Sequence, residues 1–231
     1  MPVLLQVAGI HDINAAIIMV VIRIYNNNPS MDKYHHYIIH KPYGYLSQFV
    51  NNQSKRKNKK LLGELSEFAA GTMAIGRLDE HSEGLLLLTT NGIVSDQIRS
   101  KKIEKEYYVQ VDGQITAEAI EQLKNGVEIR LKTMIYETLP CKAHALIPAP
   151  VFEERLKKIR DDRHGPTSWV SITINEGKFR QVRKMTAVVG FPTLRLIRVR
   201  IGELKLDQMQ SGEVIAVSSF DVGILKQKLS T

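Results

Sequence analysis

A chain of 231 residues with 43% hydrophobic content is a globular protein by composition, long enough to bury a core in one large domain or two small ones. Its 32 Lys and Arg against 24 Asp and Glu leave a formal charge of +8 and a pI near 9.5, which favours a polyanionic partner, nucleic acid first. The single cysteine, Cys141, excludes an intrachain disulfide, and no Cys or His set has zinc-site spacing, so a cytoplasmic protein fits.

Residues 13–24 are apolar apart from Asn14 and Arg23, but this run is about half the ~20 residues a membrane helix needs. A secretory signal would have a basic start, whereas no Lys or Arg precedes this run. Met31 opens a more typical soluble sequence. The expectation is an extension over residues 1–30, one catalytic domain over 31–222 and a tail over 223–231.

Residues 34–39 read as a strand that Pro42 and Gly44 turn. Lys55, Arg56, Lys57, Lys59 and Lys60 follow in a polar stretch that predicts a cationic loop, solvated or in contact with RNA. Leu61, Leu62, Leu65 and Phe68 have helical spacing up to Gly71. Arg77 to Glu83 form a polar loop before an apolar run over residues 85–90. Asn91-Gly92 supply a turn, residues 93–99 a short helix and residues 107–111 a strand. Thr116 is placed to cap a helix that Asn125-Gly126 would stop.

In the last third, Val170, Ile172 and Ile174 alternate with Ser171 and Thr173, which predicts a strand with one buried face. Val182, Met185 and Val189 recur at helical spacing and leave Arg180, Arg183 and Lys184 on other parts of that helix. A strand follows in which Arg195, Arg198 and Arg200 alternate with apolar residues, and its phase slips near Ile197, predicting a bulge there. Strands outnumber helices and no βαβ repeat is evident. The expected class is α+β with a mostly antiparallel sheet.

The loop from Gly76 to Gly84 concentrates an arginine and three carboxylates between two apolar strands. Its composition alone is compatible with an ordinary polar turn or with magnesium held by Asp79, Glu80 and Glu83, as in a metal nuclease. The basic balance alone is equally compatible with a noncatalytic RNA-binding or assembly protein.

Gly76-Arg77-Leu78-Asp79 followed by Ser82-Glu83-Gly84-Leu85-Leu86-Leu87-Leu88-Thr89 resembles the signature of the pseudouridine synthases that modify ribosomal RNA. Three more segments match in order: His40-Lys41-Pro42-Tyr43-Gly44, Lys105-Glu106-Tyr107-Tyr108-Val109, and Glu176-Gly177-Lys178-Phe179-Arg180-Gln181-Val182-Arg183-Lys184-Met185. The resemblance spans residues 34–217. Within the family, Pro166-Thr167-Ser168-Trp169 and the segment from Gly190 to Arg198 resemble a subgroup that acts on 23S rRNA. Many relatives carry an RNA-binding domain like that of ribosomal protein S4, which residues 1–30 are too short and apolar to form.

The resemblance implies the pseudouridine synthase fold with an active-site cleft across its sheet, and a reaction without redox change, needing no nicotinamide, ATP or other cofactor. It implies rRNA, free or in an assembling large subunit, as the partner; nothing in the sequence requires more than a monomer. Asp79 would act as nucleophile at C1′ or as base at C2′ of the ribose. Arg183 would pair with Asp79 and keep it charged. Tyr107 would stack on the target base and help remove its C5 proton. Arg77 would fill the gap left by the extruded uridine. Lys41 would contact phosphate or brace its loop. Arg180, Gln181, Lys184, Arg195, Arg198 and Arg200 would join the RNA-contact set. Phe179 departs from the Asn or Tyr common at that position in related sequences.

Overall fold

In the computed structural model, which describes residues 34–50, 58–100, 103–155, 157–160 and 162–220, the apolar run after the polar loop is the hub of the sheet. The expectations for residues 1–30 and 223–231, and for Lys55, Arg56 and Lys57, fall outside the described residues.

The strands are β1 (His36–Lys41), β2 (Tyr45–Leu46), β3 (Lys60–Leu61), β4 (Met73–Ile75), β5 (Glu83–Thr89), β6 (Lys105–Asp112), β7 (Glu128–Arg130), β8 (Ile135–Glu137), β9 (Lys142–Ala145), β10 (Thr167–Ile174), β11 (Thr193–Ile201), β12 (Leu204–Lys205) and β13 (Val214–Val217). The helices are α1 (Gly92–Ser100), α2 (Ala117–Asn125) and α3 (Gln181–Val188). The main sheet runs β13-β1-β5-β11-β6-β10-β9, with β4 also on β5 and β12 on β11. Every pairing in it is antiparallel except β5 with β11. The mostly antiparallel α+β expectation holds.

All seven residues of β5 are buried, because both faces of the sheet are covered. Leu86 and Leu88 join one core with Ile39, Val109 and Ile172, and with Leu123 of α2 and Met185 of α3. Leu85 and Leu87 face the other way, onto Ile98 of α1, Ile197 and Ile201. Gly84 sits where β5 meets β11 in parallel. Its φ is +106°, and a Cβ there would lie 2.3 Å from the backbone oxygen of Arg198, so only glycine lets the strands approach.

Thr116 caps α2 as expected, its hydroxyl accepting from the Ala119 amide, and Gly126 ends the helix with φ +94°. Three local expectations need correction. Leu62 is buried and Leu65 and Phe68 pack beside it, but only a single 3-10 turn, Leu62–Glu64, forms. The Leu62 amide donates to the Gln48 carbonyl and the Ala69 amide to the Tyr37 hydroxyl, drawing this backbone onto its neighbours instead of into a helix. Ser171 and Thr173 are buried rather than solvated, since the second face of β10 is also covered and the Ser171 hydroxyl donates to Glu106. In β11 the register shifts between Thr193 and Arg195 and again between Arg198 and Arg200, on either side of Ile197 rather than at it.

Candidate active site

The antiparallel pairing of β4 with β5 leaves residues 76–82 as a loop at the end of the pair, beside the segment that follows β1. Side chains and backbone hold it there. The Ser47 hydroxyl donates to the Leu78 carbonyl at 2.8 Å and accepts from the Leu78 amide at 3.0 Å. The Gly44 amide donates to the Glu80 carbonyl, and the Ser82 amide closes a turn on the Asp79 carbonyl. Leu78 is buried in the core, and Asp79, the next residue, lines a cleft of about 460 Å³.

The same cleft is lined by Tyr107 from β6, Arg183 from α3 and Arg77 from the loop itself. Tyr107 is only 9% exposed, so its ring forms part of the cleft wall. Arg183 reaches across the cleft and donates from Nη2 to the His81 carbonyl at 2.7 Å and to the Ser82 hydroxyl at 3.3 Å. Burial, then repulsion from Arg180, pulls the pKa of this guanidinium below its ordinary value, while attraction from Asp79 raises it. Among the described residues Asp79 makes no ion pair. The expected Asp79–Arg183 pairing is therefore a through-space attraction across the cleft, with the guanidinium's hydrogen bonds going to the loop that carries the acid.

Arg77 and Arg180 are exposed and line the cleft, as an RNA-facing role requires. Lys184 places its ammonium 5.3 Å from the centre of the Phe179 ring. Four other residues from the expected RNA-contact set are turned inward. Arg195 is 8% exposed and forms a two-point bond to Glu83, Nε to Oε2 at 3.0 Å and Nη2 to Oε1 at 2.8 Å. Arg198 is 3% exposed and donates to the Leu85 carbonyl. Gln181 is buried, its side chain bonded to Glu176 and to the Lys178 amide. Lys41 is fully buried. Arg200 stays partly exposed but is engaged by Glu106 and Glu104. Lys41, Arg195 and Arg198 are thus spent on protein partners rather than presented to a phosphate.

Lys41 braces the loop. Its ammonium donates to the carbonyls of Tyr45 at 2.7 Å and Pro42 at 2.9 Å, and to that of Glu80 at 3.5 Å. Burial pushes this amine from its usual 10.5 down to about 7, against the pull of Glu83, Asp79 and Glu80. Because the folded value lies below the unfolded one, the native state gives up a proton that the unfolded chain retains. The cost of burying the charge is complete below pH 7 and is relieved as pH rises toward 10.5, so this residue makes stability climb with pH across that window. Urea unfolding should show wild type gaining on Lys41→Met over that range; a difference that stays flat with pH would overturn the reading.

The three carboxylates that could have formed a magnesium site do not converge. Glu83 is committed to Arg195, Glu80 is bonded to Lys59, and Asp79 alone of the three is without an ion pair among the described residues. No group of three or more His, Cys, Asp or Glu among the described residues could hold a metal ion. Sequence reasoning missed Ser47, whose partner lies 31 residues on, and a stack in which Tyr43 lies on His81 at 5.1 Å with Arg155 over the Tyr43 ring at 4.6 Å. No local pattern marks either.

The arginine-bearing helix thus lies against the aspartate loop, with a tyrosine in the wall of the same cleft. The RNA pseudouridylate synthase family matches residues 35–188, and the chain belongs to it. It is 39% identical over 191 residues to ribosomal large subunit pseudouridine synthase E of Vibrio parahaemolyticus, covering 81% of this chain and 76% of that relative. It is 40% identical over 176 residues to the protein of the same name from Xanthomonas axonopodis pv. citri, covering 74% and 88%. A solved pseudouridylate synthase shares the fold with a TM-score of 0.64 at 24% identity, over 84% of this chain and 74% of that one.

Proposed function

We propose that this chain isomerises one uridine to pseudouridine in large-subunit (23S) ribosomal RNA, without a cofactor. The observation that carries the reading is the meeting of Asp79, Tyr107 and Arg183, from a loop, a strand and a helix, in one cleft. The reaction breaks the bond between C1′ and the uracil nitrogen, turns the base, and joins C1′ to C5; the C5 proton is then lost and the freed nitrogen gains one, so no atom is lost overall. Asp79 supplies the carboxylate at the ribose, as nucleophile at C1′ or as base at C2′. Tyr107 packs against the base from the cleft wall, and its hydroxyl helps remove the C5 proton. Arg77 stands at the opening, able to occupy the space the extruded nucleotide vacates. All of these groups come from one chain, which supports action as a monomer. An rRNA substrate supports a cytoplasmic location; among the described residues no helix is long and apolar enough to cross a membrane.

Pseudouridine maps of rRNA from cells with and without the gene test this directly. One gene-dependent position in 23S rRNA is expected; identical maps would refute the proposal. Arg183 both attracts the acid and holds its loop, so Arg183→Ala should lower single-turnover rates roughly 10²- to 10³-fold, the usual loss when one oriented charge donor is removed. A variant within a few fold of wild type would remove this guanidinium from the mechanism.

A further inference from the structure

Phe179 stands at the mouth of the cleft and is 71% exposed, whereas every other described phenylalanine is buried or half-buried. An aromatic ring normally buries most of its surface, so holding one in water forgoes a large stabilisation. The turn that carries it is nonetheless fixed on both sides. The Lys178 amide donates to the Gln181 side chain, the Gln181 amide donates back to the Lys178 carbonyl, and the Lys178 ammonium sits 4.5 Å from the centre of the Tyr136 ring. Arg180 holds a left-handed φ of 53° as it opens α3. The exposure is built in, and the Lys184 ammonium lies near the ring at 5.3 Å.

We infer that Phe179 is a stacking platform for an unpaired base flanking the uridine that enters the cleft. This rests on the function proposed above and adds a subsite to it. The chemistry of the mouth selects such a partner: an uncharged flat ring for a base, with the exposed guanidiniums of Arg77 and Arg180 lining the same cleft for the phosphates on either side. A ring accepts any base by its face, so the platform recognises that a neighbour is unstacked rather than which base it is. It favours uridines in loops over uridines in helices.

Short RNAs carrying the mapped uridine, with an abasic residue placed in turn at each flanking position, test the subsite. At one position the abasic RNA should raise the wild-type KM about tenfold. Phe179→Ala should raise KM about tenfold on the intact RNA and lose nothing further at that position. Phe179→Trp should behave as wild type and Phe179→Leu as Phe179→Ala, since the π-face and not the apolar volume is used. All three variants should melt with wild type, because the ring supports no core. The inference fails alone if wild type turns over but Phe179→Ala binds the intact RNA equally well, or if abasic losses add to it at every position. It also fails if the variant is impaired only on assembled particles, which would make the ring a protein contact. If wild type makes no pseudouridine in any RNA, the proposed function fails and this inference with it.

Discussion

Asp79→Asn should lower single-turnover pseudouridine formation by about 10⁴-fold or more while leaving the fold and RNA binding in place. The amide matches the carboxylate in shape, so the turn closed by the Ser82 amide on the Asp79 carbonyl survives, as do the two hydrogen bonds between Ser47 and Leu78. Asp79 makes no ion pair among the described residues, so its replacement strands no buried partner. What disappears is the charge. An amide is neither a nucleophile toward C1′ nor a base toward C2′, and both routes stop at their first step. RNA affinity should hold or rise slightly, since a negative group is removed from a cleft that receives a polyanion. Turnover within tenfold of wild type, measured on protein free of the wild-type enzyme, would remove the carboxylate from the reaction.

How far such a site is legible in a sequence depends on whether its determinants are local. The uninterrupted apolar run of β5, the cap and stop of α2 and the helical spacing of α3 are written within a few residues of one another, and each element formed where its pattern lies. Burial of polar side chains is not local. Glu83 closes a polar loop in the sequence, yet it opens a buried strand, and its partner Arg195 is 112 residues away. Arg198 reads as a surface cation for the same reason: the Leu85 carbonyl that accepts from it lies 113 residues away. The periodicity around Leu62 located a genuine buried stripe but not the backbone contacts that prevent a helix. Motif resemblance brought Asp79, Tyr107 and Arg183 together; it could not separate arginines that line the cleft from arginines that hold the sheet.

Arg195→Ala separates those two roles. Glu83 is 2% exposed, and the guanidinium that neutralises it also donates to the Glu153 carbonyl at 3.0 Å. Removing one partner of such a pair leaves an uncompensated buried charge, which typically costs about 3 to 5 kcal/mol and should appear as a lower urea midpoint at unchanged slope. A phosphate contact predicts the opposite pattern: stability near wild type, with the salt dependence of RNA binding reduced by roughly one counterion. Replacing both residues, Glu83→Leu with Arg195→Leu, should recover much of the lost stability, because no charge then remains to be buried. Glu83 pairs with Ile197 in the parallel β5–β11 contact and begins the strand that follows the Asp79 loop. Whatever loosens this ion pair therefore loosens the frame on which the acid is mounted, so the single variant should lose activity in step with stability and regain it in the double variant, an order of events that a lost RNA contact cannot reproduce.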